Sequence, residues 1–403
     1  MTAHASPAAA RRPAPAGLAL FAHGFRPFFL MAGLWAVLGM LVWVAALHGA
    51  ALPAGPLPPA QWHAHEMIAG FIGAAIAGFL LTAVPNWTGR PGYGGAPLAL
   101  LAGLFVAARL ALLPGSPVSP GAAAVVALLP LPALLLMVLP ALAKARTPRL
   151  FGPPALVLVF WAGDLLMLGE VAGWWAAGFA TGQMLSLNAA LALVGLIGGR
   201  IVPSFTLNAL RKAGRPAELR PLPGVDRGAM LALLAVVVVD LLAPGGALAG
   251  VVAGLAALLT ALRLSRWHGL RTLGQPILWV LHLAYLMVPL ALATKAAWLL
   301  AEAPWAGGWL HLQAVGAIGL MILAVMTRAT LGHTGRDLVA APPVAVAYLL
   351  LALAAPVRAF GPALGAGPGA YALAGALWIA AFGLFLAVFA PMLLRPRADG
   401  KPG

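Results

Sequence analysis

The sequence predicts an all-α membrane bundle of about twelve transmembrane helices with both termini in the cytoplasm. Three observations carry that prediction. The 403-residue chain is 63% hydrophobic and only 8% charged, where a soluble domain carries roughly 25% charged residues. Its apolar residues fall into long runs bounded by proline, glycine or charge. Its basic residues gather in alternate connections between those runs.

The runs, in order, are 27–48, 64–85, 95–113, 119–143, 152–170, 174–199, 228–244, 246–264, 276–300, 309–329, 343–360 and 369–394. Most are near the ~20 residues that cross a hydrocarbon core. The seventh and eighth are short and separated only by Pro244-Gly245. With the N-terminus inside, the inner segments hold 21 of the 24 Lys and Arg residues, among them Arg11, Arg12 and Arg220. The exceptions are Arg358 in an outer connection, and Arg109 and Lys295 near outer helix ends. One miscounted span would scramble this positive-inside pattern.

The organisation follows. Residues 1–24 read as a disordered cytoplasmic tail, 25–199 as a first six-helix half and 200–227 as a basic cytoplasmic loop. Residues 228–394 read as a second six-helix half and 395–403 as a cytoplasmic tail. No cleaved signal peptide is expected, because the first apolar run is too long for a signal core and no small-x-small site follows it. The net charge of +15 follows membrane orientation, so a lipid bilayer and no nucleic acid is the expected partner. The absence of cysteine excludes disulfides, iron–sulfur clusters, thiolate metal sites and covalent c-type haem. Metal ligands must come from the nine histidines, the 12 methionines or the few carboxylates.

Ionisable groups concentrate in Trp62-His63-Ala64-His65-Glu66, at the mouth of the second run. The tenth run opens with His311 and Gln313 at the same side. Positions i and i+2 do not share a helix face. His63 and His65 can grip one ion together only if the helix starts after His63; otherwise His65 is expected to pair with His311 across helices. Ala69 occupies the place of the second histidine in His-Glu-x-x-His, so the metalloprotease motif is excluded. Histidine and carboxylate without thiolate suit copper, zinc or iron. The bland alternative is an interfacial pair bonded to loop backbone. His48 ends the first run on this side, while His268 and His4 read as solvated.

The inner side carries His282 with Tyr285 one turn on, then Arg328, His333 and Arg336, with Arg200, Arg90, Asn86, Trp87 and Arg26 near them. Such arginines fit haem propionates; for any single one, contact with lipid phosphate is the better reading. Asp164 near the middle of the fifth run reads as a proton relay with Glu66, or as a neutral hydrogen-bonded acid. Gln183, Ser186 and Asn188 on the sixth run, with Glu170 and Asp240 near the outer surface, complete the polar set. Gly70, Ala74 and Gly78 form a small-residue ridge for a neighbouring helix or a flat cofactor.

Several stretches together resemble the NnrS family. They are Phe25-Arg26-Pro27-Phe28-Phe29, Trp62-His63-Ala64-His65-Glu66-Met67, Val84-Pro85-Asn86-Trp87-Thr88-Gly89, Gly198-Gly199-Arg200-Ile201-Val202-Pro203-Ser204-Phe205-Thr206, Leu281-His282-Leu283-Ala284-Tyr285, Leu310-His311 and Leu331-Gly332-His333-Thr334-Gly335-Arg336. The resemblance implies a bacterial inner-membrane protein with twelve spans that carries haem and copper and is associated with denitrification and resistance to nitric oxide. It makes His63, His65, His282, His311 and His333 candidate ligands. The adjacent histidine pair of haem–copper oxidases is absent.

The expected protein therefore holds haem b, noncovalent for want of cysteine, and copper. The expected metal ligands are His63, His65 and His311. The expected cofactor contacts are His282, His333, Arg200, Arg328, Arg336 and Tyr285. Glu66 and Asp164 are the proton-transfer candidates, with nitric oxide and a membrane electron donor as partners. The alternatives are a secondary transporter coupled through Asp164, a metal-delivery protein, or a haem-binding sensor without catalysis.

Overall fold

The computed structural model describes residues 19–219 and 222–401. His4, Arg11, Arg12, Arg220 and most of the expected N-terminal tail lie outside the described residues. Among the described residues there are twelve helices and no strand. They are α1 (Phe25–Leu47), α2 (Pro59–Thr88), α3 (Gly95–Ala111), α4 (Pro120–Ala145), α5 (Gly152–Val171), α6 (Phe179–Lys212), α7 (Pro223–Leu242), α8 (Ala247–Ser265), α9 (Pro276–Ala301), α10 (Pro304–His333), α11 (Pro342–Phe360) and α12 (Gly367–Leu394). Ten helices are long and apolar enough to cross a membrane, which makes this a multi-pass membrane protein.

Several helices open on proline, including Pro59, Pro120, Pro223, Pro276 and Pro342. The missing N–H costs nothing where no intrahelical acceptor exists. Outward faces are apolar: Leu34, Leu38 and Leu41 of α1 are 40–49% exposed. A helix that turns Phe25, Phe28, Phe29, Ala32 and Ala36 inward and leucines outward has lipid as its solvent.

The apolar windows of α2, α6, α9 and α10 are 78, 72, 72 and 67% buried, against 33% for α1. These four helices form the centre of the bundle. Three of them contain a π-helical stretch: Glu66–Ile72 in α2, Val194–Gly198 in α6 and Leu312–Gly319 in α10. Each such stretch closes hydrogen bonds five residues apart and shifts the helix face that follows.

Several boundaries differ from the sequence expectation by five residues or more, and two of these move polar residues. The second helix begins at Pro59, so His63 and His65 lie inside it rather than at its mouth. The sixth continues to Lys212 and absorbs the first half of the expected basic loop. Val202, Thr206 and Leu210 form its buried stripe at four-residue spacing, while Arg211 and Lys212 stay exposed. That amphipathic pattern escapes a search for apolar runs. The Gly70–Gly78 ridge is helix packing: a Cβ on Gly70 would sit 2.5 Å from the Trp35 ring and 2.8 Å from Arg109, and one on Gly78 would sit 2.6 Å from Phe29.

Arg26 is no lipid-facing charge. It is fully buried and its guanidinium donates to the backbone carbonyls of Met392, Leu393 and Arg395 at 3.3, 3.0 and 2.7 Å. These belong to the end of α12, whose last carbonyls have no partner within the helix. Just before α1, His23 stacks on His333 with ring centroids 5.7 Å apart. Burial, with help from His333, Arg26 and Arg397, pushes the His23 imidazole down to about 4.

Two outcomes follow from this end of the bundle. Arg26→Leu is expected to destabilise the protein by about 2 kcal/mol or more, because buried carbonyls lose a charged donor. The readout is thermal denaturation in detergent, with the exposed Arg395→Ala side chain as a neutral control. The unfolded His23 titrates near 6.5, so between about 6.5 and 4 the unfolded chain binds the extra proton. Stability should fall as pH drops through that window, by on the order of 3 kcal/mol at most. His23→Gln should flatten the decline, and an equal slope in the variant would count against it.

Candidate functional site

Two chambers occupy opposite ends of α2, α6 and α10, and these helices line both. The first, about 370 Å³, lies where the three helices begin. His63 of α2 and His311 of α10 face it, with Gln183 of α6, Arg358 of α11 and Tyr371 of α12. The His63 ring stacks on Trp43 at 4.6 Å with planes 10° apart. Its Nδ1 is buried and has no hydrogen-bond partner. The Arg358 guanidinium sits 4.4 Å from the centroid of the Tyr371 ring.

His65 points elsewhere. Its Nε2 lies 2.8 Å from Asp164 Oδ1 and its Nδ1 2.9 Å from Glu66 Oε1. Arg109 donates to the same Glu66 oxygen at 2.8 Å. His65 and Glu66 are fully buried and Asp164 is 1% exposed. The expected pairing of His65 with His311 does not form; the histidine that shares a cavity with His311 is His63. The helix start at Pro59 makes positions 63 and 65 diverge, and the bonds to Glu66 and Asp164 hold His65 on the face away from His311.

The quartet Arg109–Glu66–His65–Asp164 has a definite proton requirement. A carboxylate only accepts hydrogen bonds, and an imidazole donates from both nitrogens only as imidazolium. Either His65 carries two protons or one of the carboxyls carries one. With the ring protonated the four charges cancel, which suits a site without water. The second oxygen of Glu66 is buried and unpartnered.

A second polar chain crosses the bundle nearby. Lys295 of α9 pairs with Asp240 of α7, Asn188 of α6 donates to the same carboxylate at 2.6 Å, and Gln313 of α10 donates to Asn188 at 3.2 Å. The Glu170 carboxylate accepts from the backbone N–H of Gly178 and Phe179, both at 2.7 Å, where α6 begins. Its charge complements the helix dipole there.

The second chamber, about 390 Å³, lies where α2, α6 and α10 end. Arg200, Arg328, His333, Asn86 and Trp87 line it, and among the described residues no acidic one does. The Arg328 guanidinium lies 4.0 Å from the Phe205 centroid. The remaining expected contacts are not in this chamber. His282 Nε2 is 2.8 Å from Thr206 Oγ1, and its ring meets Trp267, which in turn packs on Tyr285. Its Nδ1 faces Gly269, where a Cβ would come within 2.8 Å. Tyr285 receives a hydrogen bond from Arg263 at 3.3 Å. Arg336 donates to the Thr334 carbonyl at 3.2 Å. His282 and Tyr285 line neither chamber.

Residue reading passed over Arg109, Arg358, Tyr371 and Trp43. A signal for two of them was present. Arg109, Lys295 and Arg358 were the three cations that the positive-inside pattern could not place. The structure puts the first two in buried ion pairs and the third on a chamber wall.

The family model described as NnrS protein matches residues 19–397. No curated protein matches the chain.

The quartet predicts strong coupling between its members. Asp164→Asn should destabilise by about 3 kcal/mol, since it leaves a buried charge unbalanced. Adding His65→Gln to that variant should cost far less than His65→Gln alone, with a coupling of about 1–3 kcal/mol. A double-mutant cycle of detergent melts reads this, and additive effects would dismiss the coupled quartet.

Proposed function

The chain belongs to the NnrS family, and from that membership and the two chambers we propose that it is a haem- and copper-holding protein of the bacterial inner membrane. The family is linked to the nitric oxide response, and the proposed role is redox chemistry or electron transfer in that response.

The observation that carries this reading is the convergence of His63 and His311 on one cavity from two separate helices. Among the described residues no three His, Cys, Asp or Glu converge in a metal-binding group, so the first chamber offers a metal two imidazoles. His63 Nδ1 is free to bind, being buried without a partner. Imidazole donors without thiolate suit copper, and His63 and His311 would hold it. His65 fits a ligand role poorly, since both its nitrogens are engaged by carboxylates.

The second chamber offers a different donor set. His333 supplies an imidazole, and Arg200 and Arg328 supply two guanidiniums that make paired bonds to carboxylates. His333, Arg200 and Arg328 would hold b-type haem, the imidazole through its iron and the guanidiniums through its carboxylates. When bound, haem iron and copper supply one-electron chemistry and a place for nitric oxide to bind.

The chain's own part is to position and to supply charge. Arg358 places a positive group beside the first chamber, where it favours an anionic ligand or product. The quartet keeps a proton between Glu66 and Asp164. Ala64, Met67 and Ile68 of the same helix as Glu66 line the first chamber, whereas His65, Glu66 and Asp164 line neither chamber. The transport reading lacks support, because Asp164 lines neither chamber.

Metal analysis and absorption spectroscopy of the purified protein test the proposal. The native protein should show a Soret band and bound copper. His63→Ala and His311→Ala should each lose copper and keep the Soret band. Arg200→Ala with Arg328→Ala should lose haem and keep copper. A fully loaded sample with neither cofactor would end the proposal. Nitric oxide consumption by the loaded protein would mark an enzyme; binding without consumption would mark a sensor.

A further inference from the structure

A third cavity of about 90 Å³ lies along the same three helices. Every residue that lines it is apolar or glycine. It shares Ile72 with the first chamber. With the second it shares Phe29, Phe79, Ile197, Ile201 and Val325. The three cavities therefore follow one another along α2, α6 and α10, with the apolar one in the middle.

The π-helical stretches meet at this level. Ile72 closes the one in α2, Val194, Ile197 and Gly198 belong to the one in α6, and Ile318 belongs to the one in α10. All five line the central cavity. Three helices that each depart from regular geometry at the same cavity leave room there that regular packing would fill.

Chemistry decides what the room can hold. A buried water needs two to four polar partners, and this lining offers none. An ion would lose its hydration with nothing to replace it. A cofactor of the size that suits the chambers needs several hundred Å³, roughly 300 or more. A pocket lined this way, with Ile76, Phe79, Ile197, Ile201, Ile322 and Val325 half-buried, favours apolar guests over water.

We propose that the central cavity binds a small uncharged molecule of about two or three heavy atoms, held between the two chambers. Nitric oxide is a member of that class. Its identity as the natural guest rests on the proposed function, whereas binding itself does not.

Xenon tests this, because it binds by dispersion and needs no metal. Crystals of the native full-length protein under xenon should show it in the cavity walled by Ala75, Ala190 and Met321. Ala190→Phe should fill the space and lose the xenon, and Met321→Ala should enlarge it and raise the occupancy. Xenon found only on lipid-facing surfaces, or ordered water in the cavity, would overturn the proposal. If Ala190→Phe does not fold, the native and Met321→Ala crystals decide, and unchanged occupancy between them overturns it. Absent xenon with cofactors retained refutes this inference alone; xenon bound in a protein that holds no cofactor refutes only the metal reading.

Discussion

His65, gripped by Glu66 on its own helix and Asp164 on the neighbouring one, fixes the rotation of α2. Inside lipid, a charged side chain has no solvent to fall back on, so its partners dictate where its helix turns. Holding His65 towards α5 sends His63, two positions earlier, to a different face. That face is the first chamber. Arg109 completes the grip from α3, and the absence of a side chain at Gly70 gives the guanidinium room to reach Glu66. One buried quartet thus ties α2, α3 and α5 and aims a candidate ligand that it does not itself contain.

Along α2, α6 and α10 the polarity alternates. Histidines, an arginine and an amide occupy one end, two arginines and a histidine the other, and hydrocarbon the middle. The two ends are not equivalent. The first chamber places two imidazoles on different helices in one cavity. The second pairs one imidazole with two guanidiniums. The polar chain from Lys295 to Gln313 braces this arrangement by tying α6 and α10 to α7 and α9.

Most of the architecture was legible in the sequence, because hydropathy reports burial in lipid directly. The helix order matched, and most boundaries fell within a few residues of the apolar runs. Two exceptions have a common cause: a helix continues past the point where its hydropathy fades. At α2 the Pro59–Trp62 turn is helical but not apolar enough to join the run. At α6 the amphipathic Arg200–Lys212 segment carries buried and exposed faces in one helix. The divergence of His63 and His65 was readable from spacing alone. The partner of His65 was not, since depth along a helix cannot tell Asp164 from His311 without the rotation of α2. His282 shows the reverse difficulty: an ionisable residue in an apolar run pairs through Nε2 with Thr206 and lines neither chamber, while its Nδ1 is buried without a partner.

The bond from Arg26 to the end of α12 joins positions 366 to 369 residues apart. As the chain emerges from the ribosome, the first helix enters the bilayer with the acceptors at Met392, Leu393 and Arg395 still unmade. The tie between the first and last helices therefore forms only when α12 arrives. A chain cut short before α12 would lack these three acceptors and the tie they make between the first and last helices.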